Sequence, residues 1–174
     1  MWKGQLVAIH TGAKARLPLQ AVDSINAVAG HGLEGDRYFQ KVGTFSKPAG
    51  PDREVTLIAV EALEALEREF GVALAPGESR RNLTTRGVPL NDLVGQTFRV
   101  GDAVLEGLRL CEPCSHLAKL TCPQVLPGLM GRGGLRARVV NGGRIFVGDT
   151  VEPEPSLKSL ECVDFNAKSA NRNP

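Results

Sequence analysis

Turn signals are what most constrain this chain. Twenty glycines and eleven prolines fall within 174 residues. Between them lie short apolar or alternating runs at 4–10, 24–29, 53–58, 82–85, 97–100, 103–110, 135–140 and 144–147. Such runs have strand length, too short for helices that must nucleate and pack. One segment departs from the pattern. Over 59–70, Ala59, Leu63, Leu66 and Phe70 recur at helical spacing, Glu61, Glu64, Glu67 and Arg68 lie elsewhere, and Gly71 supplies a stop. It is read as a packing helix on one side of a sheet. Strands do not alternate regularly with crossover helices, which argues against a doubly wound sheet. The expected fold is mostly β: a closed or partly open barrel with a few helices.

The connections carry two further expectations. Asn141-Gly142, between two of the last runs, predicts a hairpin, because both positions of a type I′ turn need positive φ. Val100-Gly101-Asp102-Ala103-Val104 is echoed by Val147-Gly148-Asp149-Thr150-Val151, which we read as two similar corners of one barrel. The stretch from Gly30 to about Asp52 is a long, glycine-rich loop, and loops of this length are commonly functional or mobile. The domain is expected over 1–152, with a polar, partly disordered tail over 153–174.

Charge excludes some partners. The net charge is +2, and the arginines are dispersed along the chain, so no nucleic-acid-binding tail is expected. No apolar run is long enough to span a bilayer as a helix, and the N-terminus carries no secretory signal pattern. A cytoplasmic protein is expected. There the four cysteines, Cys111, Cys114, Cys122 and Cys162, would be free thiols, metal ligands or catalytic groups rather than a disulfide framework.

Cys114 stands out among them. The segment Leu110-Cys111-Glu112-Pro113-Cys114-Ser115-His116 follows an apolar strand and precedes a short predicted helix, 115–120. A thiol at a strand-to-helix corner sits near unpaired N–H groups and the positive end of the helix dipole, both of which favour thiolate. Pro113 suits the corner by fixing its own φ and restricting the residue before it. Three chemistries remain open. Cys-x-Pro-Cys could be a dithiol redox pair. Cys111, Cys114, His116 and Cys122 could hold zinc in a non-catalytic binding module. Cys114 could instead act alone. Polar clusters elsewhere favour the last: Gly35-Asp36-Arg37, Glu78-Ser79-Arg80-Arg81-Asn82 and Arg132-Gly133-Gly134. Guanidinium groups and free backbone N–H groups are what a phosphate or an anionic oxo-metal centre requires. Each cluster could equally be turn or surface structure, and His10 and His31 read as strand-end or turn residues.

An ordered series of motifs then becomes specific. Gly32-Leu33-Glu34-Gly35-Asp36-Arg37, Arg53-Glu54-Val55-Thr56-Leu57-Ile58, Arg81-Asn82-Leu83-Thr84-Thr85-Arg86-Gly87, Pro113-Cys114, and Gly133-Gly134-Leu135-Arg136-Ala137-Arg138-Val139 resemble the MOSC domain. This is the C-terminal domain of molybdenum-cofactor sulfurases, also found alone in bacteria. The resemblance covers about 4–152 and implies a mostly-β barrel with its hallmark cysteine at Cys114. It further implies that this cysteine carries sulfane sulfur for metal–sulfur cofactor assembly, or ligates molybdenum in reduction of N-hydroxylated compounds. Soft thiolate suits molybdenum. Molybdenum cofactor is therefore the expected ligand, and a sulfur donor such as a cysteine desulfurase the expected partner. Arg37, Arg81 and Asn82 are expected to hold phosphate or oxo groups, with Gly35, Asp36 and Arg80 beside them. Arg132, Gly133 and Gly134 are expected to complete the anion pocket. Pyridoxal phosphate, which full-length sulfurases bind in a separate domain, is not expected here.

Overall fold

Residues 1–44, 46–48 and 50–155 are described by the computed structural model. Along them run strands β1 (Gly4–Thr11), β2 (Gln20–Val22), β3 (Ser24–Val28), β4 (Gly32–Leu33) and β5 (Val55–Ala59), helix α1 (Val60–Phe70), β6 (Leu83–Arg86), β7 (Thr97–Val100) and β8 (Ala103–Leu110). Helices α2 (Ser115–Leu120) and α3 (Val125–Leu129) follow, then β9 (Leu135–Asn141), β10 (Gly143–Phe146) and β11 (Thr150–Pro153). No helix among the described residues is long and apolar enough to cross a membrane.

The strands close on themselves in the order β11-β7-β8-β9-β5-β6-β1, with β1 pairing back to β11. The result is a seven-stranded mixed barrel with three helices. The β5–β6 pair is parallel, because α1 carries the chain over the sheet between them, as a parallel pair requires. β2 extends the far end of β1, and β10, β3 and β4 form a separate small sheet. Closure removes the exposed edges that open sheets must otherwise protect.

Side-chain alternation along β5 sorts two cores. Val55 and Leu57 point into the barrel, which is packed with Leu6, Leu83, Phe98, Leu105, Leu135 and Val151, among others. Ile58 points outward and joins Leu63, Leu66, Leu117, Val125 and Leu129 beneath the three helices. Each such burial contributes about 2 kcal/mol. The lumen is therefore filled by side chains, which leaves a site to the outer face or the ends of the barrel.

Most predicted elements stand within a residue or two of their places, including α1 and α2. Phe70 is the exception in the α1 stripe, being 39% exposed. The echoed corners pack together: Val100 is in register with Val151, and the Gly101 N–H donates to the Thr150 carbonyl (3.2 Å).

One expectation is corrected. Asn141-Gly142 makes no hairpin, since β10 pairs with β3 instead of β9. Neither residue has positive φ; a Cβ on Gly142 would lie 2.8 Å from the Ala27 carbonyl oxygen, so glycine here permits a close crossing from one sheet to the other. Pro153 belongs to β11, and Glu154 accepts from Arg99 Nη2 at 2.7 Å. The rest of the expected tail, 156–174, with Cys162, lies outside the described residues.

Candidate functional site

Cys114 caps α2 in an extended conformation (φ −137°, ψ 166°), and its carbonyl accepts the Ala118 N–H (3.1 Å). The residue is exposed, whereas Cys111 is buried; both are free thiols. A small cleft of about 50 Å³ opens at this corner, and Arg37, Arg80, Arg81 and Arg136 all reach it. Its floor is the outer face of the barrel, where Thr56 of β5 stands in register with Arg136 of β9.

The cysteine segment is pinned from several directions. The Cys111 N–H donates to the Gly134 carbonyl (2.7 Å). Arg81, only 7% exposed, donates from Nη2 to the Cys111 carbonyl (3.0 Å), from Nε to the Gly133 carbonyl (3.0 Å) and from Nη1 to the Ser79 carbonyl (3.2 Å). On the other side the Glu112 carboxylate accepts the Gly131 N–H (2.9 Å). Gly133 and Gly134 make this closeness possible. A Cβ on Gly133 would lie 2.6 Å from the Cys111 carbonyl oxygen, and one on Gly134 (φ 116°) would collide with the Leu57 carbonyl. Arg81, Gly133 and Gly134 are thus the frame of the site: three of the five guanidinium N–H donors already serve backbone oxygens.

Asp36 and Asn82 are also framework. Asp36, 1% exposed, accepts from the Gly12 N–H (3.0 Å), the Tyr38 N–H (3.0 Å), Arg37 Nη1 (3.3 Å) and Asn82 Nδ2 (3.2 Å). Asn82 also donates from Nδ2 to the His10 carbonyl (3.2 Å) and accepts from the Thr56 N–H (3.2 Å) and hydroxyl (3.0 Å). A carboxylate so thoroughly hydrogen-bonded tolerates burial. The network anchors the loop that begins at Gly35 (φ 84°) and fixes Arg37, whose guanidinium lies 4.8 Å from the Tyr38 ring centroid.

The groups that face the cleft form a cationic set. Burial, followed by the neighbouring Arg37, pushes the Arg80 guanidinium below its ordinary range. His116 is likewise lowered, first by burial and then by Arg80, Arg16, Arg37 and Lys119. Arg80 is held at φ 64°, a left-handed backbone uncommon outside glycine, and donates from Nη1 to the Leu17 carbonyl. Arg136 donates from Nη1 to the Asp52 carbonyl (3.1 Å), while its buried Nε has no hydrogen-bond partner among the described residues. Such an orphaned donor is costly unless a ligand accepts from it.

Arg136 and Thr56 lie within the motif series of the sequence but are given no site role there. The period-two alternation that sends Leu135 and Ala137 inward could have flagged Arg136 as outward-facing. Arg132, which was singled out, stands elsewhere: it donates from Nη2 to Glu69 (2.5 Å) and from Nε to the Gly128 carbonyl (2.7 Å) and does not reach the cleft. The zinc arrangement is also corrected. Among the described residues no three or more His, Cys, Asp or Glu side chains converge on a possible metal position. Cys111 is buried against its frame, and Cys122 faces a neighbouring groove.

Comparison with known proteins completes the picture. A family model described as MOSC domain matches residues 45–152. The structure is similar to the YuaD protein from Bacillus subtilis (TM-score 0.74, 17% identity), covering 87% of this chain and 97% of that one. It is similar to YiiM from Geobacillus stearothermophilus (TM-score 0.68, 19% identity), covering 87% and 75%. It also resembles YiiM from Escherichia coli (TM-score 0.64, 23% identity), covering 90% and 71%. At these identities the likeness establishes the fold. No curated protein matches the sequence.

Proposed function

The chain belongs to the MOSC domain family, and from that premise we propose that Cys114 is a thiolate ligand for the molybdenum of a molybdenum cofactor. The observation that carries this reading is one exposed thiol at the rim of a cleft where four guanidinium groups meet. The donor set fits the group. A soft sulfur suits molybdenum, and Arg37, Arg80 and the orphaned Arg136 Nε suit its oxo and phosphate oxygens. When bound, the cofactor supplies two-electron redox chemistry at an oxygen-bearing metal, the chemistry that reduction of N-hydroxylated compounds requires. The chain's own part is to hold and orient. Arg81 fixes the cysteine segment, and the Asp36–Asn82 network fixes Arg37.

A second reading rests on the smallness of the cleft, which at about 50 Å³ suits a single sulfur atom better than an organic ligand. In it, the Cys114 thiolate attacks the outer sulfur of a donor persulfide, R–S–SH. The new S–S bond gives Cys114–S–SH, and R–S⁻ leaves. A cysteine desulfurase in the reducing cytoplasm would be such a donor.

Purification under cofactor-replete conditions, with molybdenum and cyanolysable sulfur measured in wild type and Cys114→Ser, tests both. Loss of molybdenum in the variant supports the first reading, and loss of cyanolysable sulfur alone supports the second. Equal retention of both species by the two proteins would discard the assignment of Cys114.

A further inference from the structure

A second and much larger space adjoins the cysteine cleft. It is a groove of about 660 Å³ between the β1–β2 connection, the segment after α1 and the C-terminal end of α2. That volume lies in the range of small-molecule sites, roughly 300–1,000 Å³. Its walls divide by chemistry. Leu19, Val72, Leu74 and Leu120 provide apolar surface, whereas Arg16 and Arg80 provide positive charge. Glu78, the carboxylate on its wall, is already engaged: its Oε2 accepts the Ala75 N–H at 2.8 Å. His10 presents its ring to the same space, and its buried Nδ1 lacks a hydrogen-bond partner among the described residues.

Arg80 belongs to both spaces. Its left-handed backbone (φ 64°) sets the side chain at the junction. Whatever lies along the apolar wall with a negative end on Arg80 therefore brings that end to the mouth of the Cys114 cleft.

We propose that this groove binds an organic anion with an apolar, ring-sized body, laid along Val72, Leu74 and Leu120 with its anionic end on Arg80. Net positive charge selects the anion, and the apolar wall selects the body. The inference deepens the reading of Cys114, because it gives the class of molecule presented to that thiol, but binding itself needs neither the thiol nor a cofactor.

The test uses the full-length protein with 1-naphthoate as probe and 1-naphthylmethylammonium as its charge-reversed control, followed by amide chemical shifts and calorimetry. Naphthoate is expected to shift amides in 72–78 and 118–122 saturably, and to bind at least about tenfold tighter than the ammonium. Arg80→Gln and Leu120→Glu should each weaken naphthoate about tenfold. Leu120 is 40% exposed, so its variant should retain the wild-type melting temperature and keep the test independent of folding. Cys114→Ser should bind naphthoate normally. Equal binding of the two probes, shifts confined to other parts of the surface, or wild-type affinity in both groove variants would overturn the proposal. Normal naphthoate binding with no molybdenum or sulfur on Cys114 would leave the groove standing and sink only the earlier reading.

Discussion

The Arg81 guanidinium donates to the Cys111 carbonyl at 3.0 Å, from a position only 7% exposed. An arginine whose sequence context suggests ligand binding is thus the clamp of the cysteine segment. Its other bonds, to the Ser79 and Gly133 carbonyls, tie three separate stretches of chain to one planar group.

Replacing it tests that role. Arg81→Met should cost about 3 kcal/mol, because three backbone oxygens lose a charged donor together. Arg81→Lys should not rescue the loss, since an ammonium lacks the planar fork needed to reach all three. Urea denaturation measures the cost. Alkylation of Cys111, now shielded, should become faster in both variants under native conditions.

Arg80 behaves oppositely. Its left-handed backbone (φ 64°) costs an ordinary residue about 1 kcal/mol, which glycine escapes. Arg80→Gly should therefore stay within about 1 kcal/mol of wild type, the relief offsetting the lost bond to Leu17 and the extra chain entropy. Arg80→Val should be less stable than Arg80→Gly by about 1–2 kcal/mol, since β-branched side chains fit that conformation worst. Thermal melts of the pair decide this. Parity between them would refute the backbone argument.

Gly134→Ala should be severely destabilising, by about 3 kcal/mol or more. The new methyl would meet the Leu57 carbonyl in a φ 116° conformation, and β9 would have to separate from β5 or unpair from the Cys111 N–H. Loss of soluble protein, or a large fall in denaturation midpoint, is the expected reading.

Two histidines set a pH dependence. Burial lowers His10 from its ordinary value of 6.5, and burial with surrounding cations lowers His116 from the same value. The unfolded chain therefore binds more protons than the folded one just below pH 6.5, so stability rises with pH there and is lost on acidification. Glu54, raised by burial above 4.5, acts in the opposite sense above that value. Melting temperatures should fall from pH 7 towards pH 5.5, and His10→Gln with His116→Gln should flatten the slope. An unchanged slope in the double variant would exclude the histidines as its cause.

Local features are legible in the sequence. Helix α1 announced itself by periodicity, the strands by their turns, and the Cys114 corner by a proline between two thiols at the end of an apolar run. These depend on neighbours within a few residues, where φ restrictions and side-chain spacing act directly. The Asn141-Gly142 signal was equally local and misled, because the partner strand β3 lies more than a hundred positions away and the close crossing beside Ala27 needed the same small residue.

The division within the arginines is the clearest case. The sequence alone determined that guanidinium groups and glycines cluster near strand ends, that one cysteine sits at a corner, and that the chain is a turn-rich β domain. Only the tertiary structure decided that Arg81 clamps backbone, that Arg132 turns to Glu69, and that Arg136 enters the cleft instead. The reason is geometric. A strand fixes which of its residues share a face, but closure of the barrel and the three helices packed on Ile58 decide which outward face becomes a site and which meets only solvent.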